Sequence, residues 1–322
     1  GKAQLTSDRY KFKEHEVVSD TSKFDILTDD TSLEDFAFKT ENVSSYINFN
    51  EKKASFKSND KMTVVQFPRN KYICFVDRFS WDMVTEQIVL GAELNNQQNV
   101  SEGDIVGSRF ISVHPKQDTL NFVAPAATYD LKQYIINAKF VPFIKVADAT
   151  VYPGQDGKVT IQPGGKMETL LEAKIVANNT NKYHTLYDAT LDITGRLAYS
   201  GSGKYDYVDE ESKKQTIIFS LINVDTTFQT YANGSLSEPD SFMLSPNFQY
   251  QGRVRLNAAR QFLSYTGASR IVFECPHFPH SWITFSGEID PLNVRIPIYD
   301  QIMDINNKEL FAGIYMNNDS VD

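Results

Sequence analysis

The sequence predicts an all-β protein: a layered, irregular, solenoid-like (β-helix-like) stack of short strands with one or two short helices. A curved antiparallel β-sandwich is the alternative. Three observations carry this. Aromatic residues make up 12% of the 322 residues, with 22 Phe and 16 Tyr, and such residues favour a pleated, half-buried surface. Apolar and polar residues alternate in short runs bounded by Asn, Asp, Lys and Ser, which are strand and turn signals. In 192–209, DITGRLAYSGSGKYDYVD, the residues Ile193, Leu197, Tyr199, Tyr205 and Tyr207 share one parity with Gly195, Gly201 and Gly203. An inward glycine removes a side chain where a neighbouring backbone comes close or the strand bulges.

Along the chain, 1–30 is polar and weakly periodic and reads as an N-terminal segment. Residues 31–108 form an N-terminal β region: DFAFKT, SYINFN, ASFKS and TVVQF each have strand length, and 71–95 is the most apolar patch. Residues 96–108 read as a loop. Residues 109–322 form a repeat-bearing β region continuous with the preceding one. There Ala, a polar residue and a large apolar residue recur at Ala127, Ala138, Ala149, Ala173 and Ala189. A second pattern places glycine between apolar residues at Gly195, Gly252 and Gly287. Strand-sized units that cannot bury a face alone suggest stacking. One helical reading competes: Leu131, Tyr134, Ile135 and Ala138 fit helical spacing, which makes 128–138 a helix candidate.

The formal net charge is −9, and no basic cluster could neutralise a run of phosphates, which argues against nucleic-acid binding. No apolar run approaches the roughly 20 residues of a membrane-spanning helix. Gly1 before Lys2 reads as the scar of a cleaved tag, and the chain as a fragment of a longer precursor. Cys74 and Cys275 are the only cysteines and read as buried, inert thiols, with a disulfide between them as the other possibility.

The stretch FISVHPKQDTLNFVAPAATYDL … VADATVYP … AKIVAN … KYHTLYDATLDITGRLAYSGSGKYDYVDE, within roughly 30–298, resembles a segment of very long, uncharacterised exported cell-envelope proteins of Bacteroidota. The resemblance implies a periplasmic, outer-membrane or cell-surface location. It implies as partners the rest of a longer chain and envelope polysaccharide or another envelope protein. It brings no catalytic motif. The layering also resembles, in texture alone, that of periplasmic lipid-conduit proteins. In that context Asp followed by Ser or Thr marks O-glycosylation candidates at Thr119, Thr226 and Ser320.

Few residues suggest chemistry. Glu274, Cys275, His277 and His280 in FECPHFPHSW include metal-ligand types, but Pro276 and Pro279 extend the segment. Asp206, Asp209, Glu210 and Glu211 would suit calcium only with a glycine-punctuated loop that is missing. His114, Lys116 and Asp118 hold a base, a cation and a carboxylate, the groups a polysaccharide lyase uses. No nucleophile elbow, phosphate loop or dinucleotide motif occurs, and no cofactor is expected. Trp81, Tyr199, Tyr205, Tyr207 and Trp282 are candidates for stacking on sugars. The expectation is a non-enzymatic structural or binding segment of a large exported protein, with a carbohydrate-binding or carbohydrate-active module and a lipid conduit as alternatives.

Overall fold

The computed structural model describes residues 2–28, 36–91, 107–273, 281–298 and 301–311, with the backbone of 316–317 and 320–321. Their architecture is all-β: 25 strands join in one antiparallel sheet that does not close on itself. In chain order they begin with β1 (Ala3–Thr6), β2 (Lys11–Lys13), β3 (Glu16–Leu27), β4 (Phe36–Asn48), β5 (Lys53–Ser58) and β6 (Thr63–Phe67). β7 (Tyr72–Val76), β8 (Arg78–Asp82), β9 (Gln87–Leu90), β10 (Ser108–Ser112), β11 (Asn121–Ala124) and β12 (Ala126–Asp130) follow. Next come β13 (Ile135–Lys139), β14 (Ile144–Val146), β15 (Ala149–Tyr152), β16 (Val159–Ile161) and β17 (Leu170–Ala177). A meander completes the sheet: β18 (His184–Gly195), β19 (Ala198–Val208), β20 (Lys214–Val224), β21 (Thr230–Leu236), β22 (Met243–Ser245), β23 (Phe248–Asn257), β24 (Leu263–Ile271) and β25 (Ile283–Ile289).

The sheet forks at β4. Its C-terminal half pairs with β5, and residues 39 and 40 pair with β6. One arm continues β5–β8–β9–β12–β13–β16 and the other β6–β7–β10–β11–β14–β15–β17. Successive hairpins thus alternate between arms, and the arms pack face to face: Phe67 of one meets Tyr129 of the other edge to face at 4.8 Å. A single buried cluster runs from Phe24 to Ile289. Across this core Asn70, fully buried, donates to the carbonyls of Tyr134 and Ile161. Beyond β17 the meander curls, so that Nε2 of His184 on β18 meets the carbonyl of Arg260 in the β23–β24 turn at 2.7 Å.

Polar residues at the ends of strands encode the turns. Asn48, Asp82 and Asp130 each accept, through Oδ1, the amides two and three residues on. The fourth residue on (Lys52, Glu86 or Tyr134) then takes a positive φ, and the next strand starts at the residue after it. These Asx turns offset the exposed turn amides and fix hairpin register. They also stack. The amide of Met83 donates to the carbonyl of Lys52 at 2.9 Å, and that of Leu131 to Glu86 at 3.0 Å. At the opposite arm Val113 donates to Lys71 at 2.8 Å.

Several expectations change. A β-helix stacks parallel rungs; among the described residues every ladder is antiparallel, with tight hairpins as connections. The described residues contain no α-helix, only four three-residue 3₁₀ turns. The helix candidate 128–138 is the β12–β13 hairpin, with Ala127 opposite Ala138. Asp130 breaks the helical reading by capping the turn through residues 132 and 133. Within 1–30, β3 is a core strand, with Phe24 and Ile26 buried. Its periodicity is weak because irregularities at 19–22 and 22–24 shift its parity. Strands on either side of 92–106 pair with each other, β7 with β10 and β9 with β12, so the sheet runs through 108–109.

The inward glycines are where the parity placed them. A Cβ at Gly201 would meet the carbonyl oxygen of Thr190 at 2.0 Å, and one at Gly203 would meet Ala189 at 3.2 Å. Ala173 faces Ala189 across β17–β18 as Ala127 faces Ala138, so the alanine pattern marks thin points of the core.

Candidate functional site

A broad concavity of about 720 Å³ lies on the outer face of β3, β4, β5 and β8. Strand register builds it. Val18, Tyr46, Ser55, Ser80 and Val89 are successive cross-strand partners, and the row continues through Thr128 and Asn137 to Thr160, which is buried and ends the exposed surface. Inward neighbours such as Phe56, Phe79 and Tyr129 are buried, so period-2 alternation turns this row outward. Small side chains at 55 and 80 leave a trough crossing the strands. Tyr46 stands at one end, 38% exposed, its hydroxyl donating to Glu16 at 2.8 Å. Among the described residues the hydroxyls of Ser55 and Ser80 have no hydrogen-bond partner. They are available to a ligand in water.

One register step away, Ser44, Lys57 and Arg78 form the next row. Gly91 joins it by donating to the carbonyl of Arg78, and Lys139, opposite Ala126, occupies the same flank two strands further on. Lys57 and Arg78 are direct cross-strand partners. The opposite flank is complementary instead: Lys53 faces Asp82. Three amides and hydroxyls of the turn, led by the amide of Thr85, and Lys53 hold the Asp82 carboxyl below its ordinary range.

The residues singled out from sequence lie elsewhere. Tyr199 and Tyr207 are 2% and 3% exposed and fill the core. Their hydroxyls are committed, Tyr199 to Thr230 at 2.7 Å and Tyr207 to the carbonyl of Leu244 at 2.6 Å. Trp282 is buried beneath the Arg270 guanidinium, 4.5 Å from the ring centroid. Trp81 is half-buried and packs on Phe24. Burial leaves these rings little face for a sugar. Tyr205 and Tyr207 do converge with Tyr183, Phe262 and Leu292 on a smaller cleft of about 310 Å³, where the curled meander stays open.

Asp206 accepts from Tyr187 at 2.6 Å and pairs with Lys214. Burial raises its pKa, but these partners outweigh it and the net shift is downward. Asp209 is spent on capping its own turn, accepting the amides of Glu211 and Lys213. Among the described residues no cluster of three His, Cys, Asp or Glu could hold a metal. Glu274, Cys275, His277 and His280 lie outside the described residues. Cys74 is a free, buried thiol. Asp118 is engaged by Arg196 at 2.8 Å, and the imidazole of His114 accepts the amide of Lys116 at 3.2 Å. Thr119 and Thr226 are exposed on turns. The backbone of Ser320 lies in a two-residue strand paired with 316–317.

The trough was missed because its residues, Ser44, Tyr46, Ser55, Lys57, Arg78 and Ser80, are ordinary one at a time. The available signal was small polar residues recurring on the outward parity of ENVSSYINFN, ASFKS and RFSWD. Compared with known proteins, the chain matches no family model, no curated protein and no solved structure.

Proposed function

We propose that the chain is a non-enzymatic structural and binding segment of a larger exported cell-envelope protein. The observation that supports this most is the unbroken buried cluster from Phe24 to Ile289, a self-supporting double-arm scaffold rather than a shell around a reaction chamber. The stacked turns at 49, 83 and 131 favour reading its N-terminal half as a layered, solenoid-like stack. Ile193, Val254 and Ile289 belong to the core and Leu197, on the same parity, is half-buried; three of the four in a closed core give no support to an open lipid channel along the sheet. The test is unfolding in urea followed by tryptophan fluorescence and far-UV circular dichroism. One coincident transition is expected; two separated transitions would overturn the single-scaffold reading. Fractionation of the source organism with an antibody against the chain tests location: recovery in the envelope is expected, and recovery only in the cytosol would refute export.

A second reading, carbohydrate binding, is favoured by the row of outward hydroxyl and amide side chains flanking Tyr46. Such a face offers hydrogen bonds and an aromatic platform without a deep pocket.

A further inference from the structure

We propose that the outer trough binds an acidic polysaccharide, laid across the strands along Tyr46, Ser55, Ser80, Thr128 and Asn137 with its acid groups toward Lys57, Arg78 and Lys139. The inference rests on the carbohydrate reading above and names the ligand class. Its foundation is the pairing of Lys57 with Arg78. Like charges directly opposite on neighbouring strands are destabilising, and the same two strands place Lys53 against Asp82 at their other end. Arg78 is partly compensated by Asp77 at 3.0 Å. Among the described residues Lys57 and Lys139 have no ion-pair partner.

The trough's charged lining is Asp20, Lys57 and Arg78; Asp20 pairs with Lys11 at 3.6 Å and Arg78 with Asp77, which leaves Lys57 as the uncompensated charge on a chain of net charge −9. A ligand carboxylate or sulfate beside Lys57 and Arg78 would relieve their repulsion and accept charge-assisted hydrogen bonds. The free hydroxyls of Ser55 and Ser80 lie one register step away, in reach of ligand hydroxyls. The accessible part of the row, from Val18 to Asn137, crosses seven strands at a spacing of roughly 4.8 Å, so it suits an extended polymer better than a single anion. Only three cations are involved, too few to neutralise a run of phosphates, while the outward hydroxyl and amide side chains of the row suit a glycan.

The experiment titrates the protein with polygalacturonate, with neutral dextran and with single-stranded DNA, each at two salt concentrations. The variants are Lys57→Glu and the double variant Lys57→Gln with Arg78→Gln. Saturable binding of polygalacturonate, weakened by salt and reduced about tenfold or more by either variant, is expected. Lys57→Glu replaces a repulsive cross-strand pair by an attractive one, so it should raise the melting temperature while it weakens binding by that factor. A merely structural lysine would not separate those two readouts. Binding of polygalacturonate unchanged in Lys57→Glu overturns the proposal, as does equal binding of DNA. Binding of dextran alone, insensitive to both variants, overturns the acidic-ligand proposal yet leaves the carbohydrate reading standing. Absence of all binding by a cooperatively folded protein overturns both, and leaves the scaffold reading to its own unfolding test.

Discussion

The amide of Met83 donates to the carbonyl of Lys52 at 2.9 Å, so the turn that follows Asp82 is seated on the turn that follows Asn48. Each Asx side chain therefore holds its own hairpin and, through the αL residue it sets up, the backbone group on which the next hairpin docks. Asn48→Ala leaves the amides of Asn50 and Glu51 without their side-chain acceptor. A loss of about 1 kcal/mol is expected, read as a lower urea midpoint at unchanged slope. Asn48→Asp should cost far less, since it keeps the acceptor.

Acid should loosen these turns. Turn amides, those of Thr85 and Lys308 foremost, hold the carboxyls of Asp82 and Asp304 below their ordinary range, and the Thr227 hydroxyl, with the amides of Gln229 and Thr227, does the same for Asp225 in its own turn. A carboxyl whose folded pKa is depressed stabilises the fold above its unfolded value, about 3.9. That stability is lost as pH falls through the folded pKa. Urea midpoints measured from pH 6 to 2 should therefore be flat at first and fall below about pH 4. Asp82→Asn keeps the acceptor and should shrink the fall. An equal fall in that variant would remove Asp82 from the explanation.

His184 predicts a second, milder dependence. Its side chain is fully buried, and burial pushes its pKa down, partly offset by the Arg260 carbonyl. Because a carbonyl can only accept, Nε2 carries the proton and Nδ1 faces the Tyr205 hydroxyl at 3.4 Å as acceptor. The folded state favours the neutral ring. Its stabilisation is complete above the unfolded pKa of about 6.5 and declines as pH falls from there toward the folded value. His184→Gln should flatten the stability curve in that window, and nitrogen NMR shifts should report the Nε2–H tautomer at pH 7.

Glycines separate space from conformation. Gly252 and Gly267 face each other on β23 and β24, and the Tyr250 hydroxyl closes over them to donate to the Arg253 carbonyl at 2.7 Å. A Cβ at Gly267 would lie 2.2 Å from the Gln251 carbonyl oxygen and 2.6 Å from the Gly252 Cα. Gly267→Ala should destabilise by about 3 kcal/mol. Gly164 has open space around it and only a φ of +81° to defend, so Gly164→Ala should cost about 1 kcal/mol. Similar losses in the two variants would mean that β23 and β24 can part.

The β class was legible because parity survives in single strands. DITGRLAYSGSGKYDYVD places Ile193, Tyr199 and Tyr207 in the core and Gly195 and Gly203 at close approaches. What could not be read is which strand lies beside which. The fork at β4 depends on one strand serving two partners, and no local pattern encodes that. The Asx turns were legible in principle in NFNEKK, DMVTEQ and DLKQYI, but without a glycine they lack the usual hairpin signature. The trough was hidden for a related reason: Ser55, Lys57, Arg78 and Ser80 belong to one surface only through register.

Cys74 sits on β7 between Val65 of β6 and Phe110 of β10, fully buried, with its thiol pKa pushed up by burial. A thiol in that state is silent to alkylating reagents until the three strands part. In a Cys275→Ser background the molecule therefore carries its own clock: the rate at which a reagent labels Cys74 counts how often the heart of the sheet opens. The same count, repeated with a glycan on the outer face, would tell whether occupancy there is felt by the layer beneath.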